Sequence, residues 1–140
     1  MELPRKLKMI DESIKRKANA DLEQMGLTIV QHHVLVYLVR REGHIAPLKE
    51  IEREFHVSQP TVAGVARRLE AKGYVSAEQH PDDRRVKQIR LTERGEELCR
   101  RSWEKMKSRF AVMTDGLSPE ECVQLDRLLD VVYRNIEAVE

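Results

Sequence analysis

Between Ser58 and Val75 the chain reads SQPTVAGVARRLEAKGYV, and among the groups with chemical reach in it are hydroxyls, an amide and two guanidinium groups. These are groups for recognition. Gln59 can pair with adenine, Arg67 or Arg68 can reach guanine or phosphate, and the methyls of alanine or Thr61 can meet a thymine methyl. Val62, Val65, Ala66 and Leu69 recur at i, i+3, i+4 and i+7, which fixes the buried side of a helix. The opposite side is Pro60, Ala63, Gly64, Arg67 and Ala71, edged by Gln59, Thr61 and Arg68. A glycine inside a helix costs about 1 kcal/mol relative to alanine, so Gly64 calls for compensation. A small outward face that is nearly free of acid suits close approach to something flat, deep and anionic, such as the DNA major groove, about 12 Å wide. The alternative is that Ala63 and Gly64 admit a neighbouring helix of the same molecule.

A second constellation follows in HPDDRR, where Asp82, Asp83, Arg84 and Arg85 are expected on a short exposed turn. An arginine held out by a neighbouring carboxylate can enter a narrow minor groove, where the potential is strongly negative. Asp83 and Arg85 are the pair expected in that role, with Arg84 on phosphate; a solvated polar turn is the plainer alternative. Ser58, Pro60 and Lys87 complete the candidate surface.

Other chemistries find little support. The chain has no Gly-rich phosphate loop, no nucleophile with a base at a recognisable spacing and no paired carboxylates in a glycine-bounded loop, so no enzyme is expected. Cys99 and Cys122 lie far apart in helix-like surroundings, which is no disulfide framework; they are expected as packing residues in a reducing, cytoplasmic setting. His32 and His33 are adjacent and so face different directions, while His44, His56 and His80 sit in separate turns, and no metal or cofactor is expected. The N-terminus has no secretory pattern, and no apolar run approaches the roughly 20 residues that span a bilayer.

The 140 residues fit a single domain, 1–140. The net charge of +1 hides an asymmetry: residues 1–57 carry +1, residues 58–109 carry +5 and residues 110–140 carry −5. A basic middle beside an acidic end is what one surface meant for an anion would produce.

The elements that must position these groups follow from spacing. Leu3, Leu7, Ile10 and Ile14 draw one apolar stripe down a first helix running to about Ala20. Thr28 and Gln31 form a capping box for a central helix that runs until Gly43. Pro47 opens a short helix with Leu48, Ile51 and Phe55 inward, His56 and Val57 turn, and Ser58 caps the helix that Gly73 ends: a helix-turn-helix outline. YVSAEQ and VKQIRL read as strands, with Ile89 and Leu91 alternating against Lys87, Gln88 and Arg90. Thr92 caps a long helix to about Met113, and Ser118 and Glu121 restart the chain with a second capping box. Cys122, Leu125, Leu129, Val132, Ile136 and Val139 then form a heptad seam, for which a second copy of the chain is the expected cover and the protein's own core the alternative. The expected fold is mainly α with a small β-hairpin wing.

In that order, with SQPTVAGVARRLEAKGYV as recognition helix and DDRRVKQIRLTERG as wing and start of the next helix, the chain resembles the MarR family of winged helix-turn-helix transcription regulators. Asp83 and Arg85, followed by Leu91, Thr92 and Gly95, look like the family's wing signature. The resemblance implies a homodimer on a pseudo-palindromic operator, with helices from residues 1–27 and 110–140 joining the copies through Leu7, Ile10, Ile14, Leu125, Leu129, Val132 and Ile136. Residues 28–95 would form the winged lobe and 92–113 the connecting helix. It further implies a repressor released by a small, often aromatic or phenolic, effector, here near Tyr37 and Trp103. At Gly64 relatives often carry arginine or another long polar residue, which shifts the expected base reading to Gln59, Thr61, Arg67 and DNA shape. Oxidation-sensing relatives have a cysteine near the N-terminus, which this chain lacks. The competing expectation is a helical interaction module whose basic winged region binds an acidic protein; steep salt dependence with preference for a palindromic duplex separates the two.

Overall fold

Four of the helix starts are fixed by side chains that satisfy otherwise orphaned amides. In a computed structural model describing residues 2–139, Thr28 accepts from the Gln31 amide at 3.2 Å, Ser58 from the Thr61 amide at 3.4 Å, Thr92 from the Gly95 amide at 3.1 Å and Ser118 from the Glu121 amide at 3.1 Å. Around these caps the chain forms α1 (Leu3–Gln24), α2 (Ile29–Arg40), β1 (Ile45–Pro47), α3 (Leu48–Phe55), α4 (Gln59–Ala71), β2 (Val75–His80), β3 (Asp83–Leu91), α5 (Glu93–Met113) and α6 (Pro119–Glu137). Helix α1 runs one turn beyond the expected Ala20, and α2 stops at Arg40 rather than Gly43, which instead takes φ +69° in a short 3-10 turn.

The wing is larger than a hairpin. The three strands pair antiparallel in the order β1-β3-β2, with Ile89 opposite Ala46 on one side and Ala77 on the other. Strand β1 was not expected: three residues ending in proline carry no strand signal of their own and exist through pairing with β3. The expected turn also shortens. Only Pro81 and Asp82 lie between the strands, so Asp83, Arg84 and Arg85 belong to β3. Gln88 was expected to face water with Lys87 and Arg90; it is buried and donates to Glu78 Oε1 at 3.0 Å, which satisfies the amide inside.

Residues up to Arg100 form one compact unit and those from Arg101 a second. The first holds the core, with Leu35 and Leu38 of α2, Ile51 of α3, Leu69 of α4 and Ile89 of β3 as its most deeply buried large side chains. Val62, Val65, Ala66 and Leu69 are buried as their spacing requires. In the second unit no described side chain is buried, and the apolar stripe of α6 lies open, with Ile136 63% exposed. No helix among the described residues is long and apolar enough to cross a membrane.

Candidate nucleic-acid interface

Helices α3 and α4 are joined through His56 and Val57, and His56 takes a left-handed φ of +51° that closes α3 within one residue. Ser58 Oγ, besides capping α4, lies 2.9 Å from Thr61 Oγ1, so these two hydroxyls hold the first turn. With the apolar face committed to the core, Gln59, Pro60, Thr61, Arg67 and Arg68 are exposed and Ala63 and Gly64 partly so. A Cβ at Gly64 would meet only Arg68 Nη1 at 3.5 Å and Arg67 Nη2 at 4.0 Å, both from its own helix. No neighbouring helix packs on this glycine, which removes the alternative that it serves internal packing.

Strand β3 brings its charged edge beside that face. Arg85 is bidentate on Asp83, with Nε 3.1 Å from Oδ1 and Nη2 3.1 Å from Oδ2, while the Arg85 backbone amide donates to the same carboxylate at 3.0 Å. The guanidinium and amide together hold the Asp83 carboxyl below the usual carboxylate range. The Arg85 side chain itself is 91% exposed. Arg84 and Lys87 are exposed on the same strand.

A groove of about 930 Å³ separates α4 from the sheet and gathers Gln59, Ala63, Arg67, Asp83, Arg85 and Lys87. Ser58, Pro60, Thr61, Gly64, Arg68 and Arg84 lie outside its lining, so the expected surface comes together in part around one concavity. Lys49, in the first turn of α3, lines the same groove and escaped sequence reasoning, because its segment reads only as a charged outer face. The carboxylates here are turned to internal use. Glu70 accepts from the Ala77 amide at 2.8 Å, and Glu78 accepts from Arg90 Nη2 and from Gln88, both at 3.0 Å. Arg90 and Gln88 thereby lower the Glu78 carboxyl, its guanidinium partner first. Lys49, Arg67 and Lys87 have no ion-pair partner among the described residues, and Glu52 is the free acid of the lining. The result is a concave surface lined by four basic and four acidic side chains, on which three of the cations stand without an ion pair.

The profile of the MarR family matches residues 25–86, which spans α2, the helix-turn-helix and the start of β3. The chain is 27% identical over 118 residues to the HTH-type transcriptional repressor IacR of Pseudomonas putida, covering 84% of this chain and 70% of that protein. Among solved structures it is similar to a point mutant of S. aureus MepR, with TM-score 0.87 and 27% identity over 95% of this chain and 97% of that one. Over residues 25–86 the chain is similar to the MarR family. A second mutant of MepR, bound to an oligodeoxyribonucleotide, matches this chain with TM-score 0.78 and 27% identity over 97% of this chain and 99% of that one. The family is one of transcription regulators, and the segment that its profile matches here holds the helix-turn-helix and most of the wing.

The two aromatic residues expected near an effector are placed as follows. Tyr37 is half-buried, donates its hydroxyl to Glu50 Oε2 at 2.9 Å, packs edge-on against Phe55 and lies under Arg41, which also pairs with Glu50 at 3.0 Å. Burial and the Glu50 carboxylate raise its phenol. Trp103, in the second unit, is 54% exposed. Cys99 packs against the core and burial pushes its thiol up to about 11, the protonated form of a packing residue. Among the described residues no three His, Cys, Asp or Glu side chains converge as metal ligands would.

Proposed function

We propose that this protein is a homodimeric repressor of the MarR family that binds a pseudo-palindromic duplex, each α4 in a major groove and each wing in the adjacent minor groove. The observation that carries the reading is the outward face of α4, small and free of acid in its first three turns, beside a groove in which Lys49, Arg67 and Lys87 have no ion-pair partner among the described residues. Gln59, Thr61 and Arg67 read bases, Ala63 and Gly64 let the backbone approach them, and Ser58, Pro60, Arg68, Arg84 and Lys87 line the phosphates. Arg85, steadied by Asp83, enters the minor groove. The DNA-bound MepR relative and the repressor IacR agree with this reading.

Residues 1–27 and 110–140 supply the dimer surface. Its support is the uncovered stripe of Leu125, Leu129 and Ile136 on α6, with Val132 half-buried beside them and Ile10 and Ile14 open on α1. A small aromatic effector completes the reading, supported by the partly open aromatic surface of Tyr37. Selection of retained sequences from randomised duplexes tests the whole proposal. Two symmetric half-sites about 10 bp apart are expected; salt-sensitive binding with no sequence preference would instead favour a partner other than an operator.

Two substitutions divide the surface. Arg85→Ala is expected to weaken operator binding roughly tenfold or more with the dimer intact, as loss of one minor-groove arginine should. Equal affinity of mutant and wild type in a titration would refute it. Arg67→Ala is expected to relax base preference along with affinity; a uniform loss across sequences would restrict Arg67 to phosphate.

A further inference from the structure

Helix α1 is a lever fixed at one end. It has 22 residues, of which only Leu22 is buried, so the lobe grips it through its last turn and the segment that leads into α2. At 1.5 Å per residue it reaches about 33 Å from that grip. Gly26 turns the chain there with φ +69°, and Leu27 enters the core.

The base of the lever is tied to the recognition helix. Lys72 is the C-cap of α4, and its Nζ donates to the Gly26 carbonyl and, at 3.1 Å, to Gln31 Oε1. Gln31 is one of two buried polar side chains in the lobe, and the same oxygen accepts from the Thr28 amide at 3.2 Å as half of the α2 capping box. One ammonium thus joins the end of α4 to the turn after α1 and to the cap of α2. The next two residues tie the same point to α5: Thr92 Oγ1 donates to the Gly73 carbonyl at 2.6 Å, and the Thr92 amide to the Tyr74 carbonyl at 3.1 Å.

We propose that Lys72 is a positioning residue that fixes the angle between α1 and α4, and through it the separation of the two recognition helices. The inference rests on the dimeric reading above. A tilt of about 10° at the base of a lever of this length moves its far end about 6 Å, close to 2 bp of duplex. Discrimination between half-site spacings therefore depends on the stiffness of this joint together with the start of α5.

The test uses the full chain, with duplexes carrying two copies of the selected half-site at separations stepped by single base pairs. Wild type is expected to lose about tenfold or more in affinity at 2 bp from its optimum, and Lys72→Met to flatten that profile to within about threefold while keeping its affinity for a single half-site. Lys72→Arg, which can still donate to both oxygens, is expected to restore the sharp profile. Amide hydrogen exchange at 26–31 without DNA gives a second readout, with faster exchange expected in Lys72→Met. If Lys72→Met does not accumulate as folded protein, Lys72→Gln is measured in the same way.

A sharp wild-type optimum that Lys72→Met leaves unchanged overturns the assignment alone, as does unchanged exchange at 26–31. Equal loss on single and paired half-sites makes Lys72 a support of α4 only, which also overturns it. A wild-type protein with no spacing optimum overturns the dimeric reading, and the assignment with it.

Discussion

Gly95→Ala is expected to destabilise the winged lobe by about 3 kcal/mol, the upper end of the usual cost of overpacking, and to lower its melting temperature by roughly 15 °C. A Cβ at Gly95 would sit 2.2 Å from the Tyr74 carbonyl oxygen and 2.7 Å from Leu91 Cδ1. The first of these neighbours is backbone, and it has little room to retreat. The Tyr74 carbonyl accepts from the Thr92 amide, Thr92 Oγ1 donates to the Gly73 carbonyl, and the Gly95 amide donates back to Thr92 Oγ1 at 3.1 Å. Moving Tyr74 away would break a joint that starts α5 and ends α4. Alanine gains about 1 kcal/mol of helix propensity over glycine, too little to offset that. Thermal unfolding followed by circular dichroism decides the matter, and a mutant that melts with wild type would mean that the joint yields.

Gly64→Leu should behave in the opposite sense. The side chain would point into open space beyond two flexible arginines, so the lobe is expected to gain up to about 1 kcal/mol from propensity. Operator affinity is expected to fall at least about 100-fold, or 2.7 kcal/mol, because a branched side chain would hold the α4 backbone off the base edges. Melting and operator titration on the same sample separate the two effects. Normal binding by Gly64→Leu would mean that α4 does not lie close to the bases at this point. The two helix glycines of this lobe thus answer to different neighbours, one inside the molecule and one outside it.

How much of this was legible depends on the range of the interaction. The caps at Thr28, Ser58 and Ser118 involve residues three positions apart, and each was readable from spacing. The buried face of α4 was readable for the same reason, since one helical period decides it. Asp83 and Arg85 were paired correctly, two residues apart, although they stand in β3 and not in a turn. What escaped was non-local. Strand β1 depends on β3 more than 40 residues later, with Ala46 opposite Ile89. Gln88 looked solvent-facing because Glu78, which takes its amide inside, comes from the other strand of the wing. The tie from Lys72 to Gln31 crosses 41 positions, and no local pattern announces it. Gly95 was visible as part of a signature, yet the carbonyl that forbids a side chain there belongs to Tyr74, in the segment between α4 and β2.

The absence of any buried side chain among the described residues after Arg100 has a thermodynamic consequence. A helix of 19 residues with an uncovered apolar stripe has only marginal stability by itself in water. If the second copy is what covers it, folding of this segment and association become a single equilibrium, and protein concentration enters it as a ligand would. Such a regulator senses its own abundance: below a threshold set by α6 its lobes persist as folded monomers, each limited to the weak grip of a single half-site.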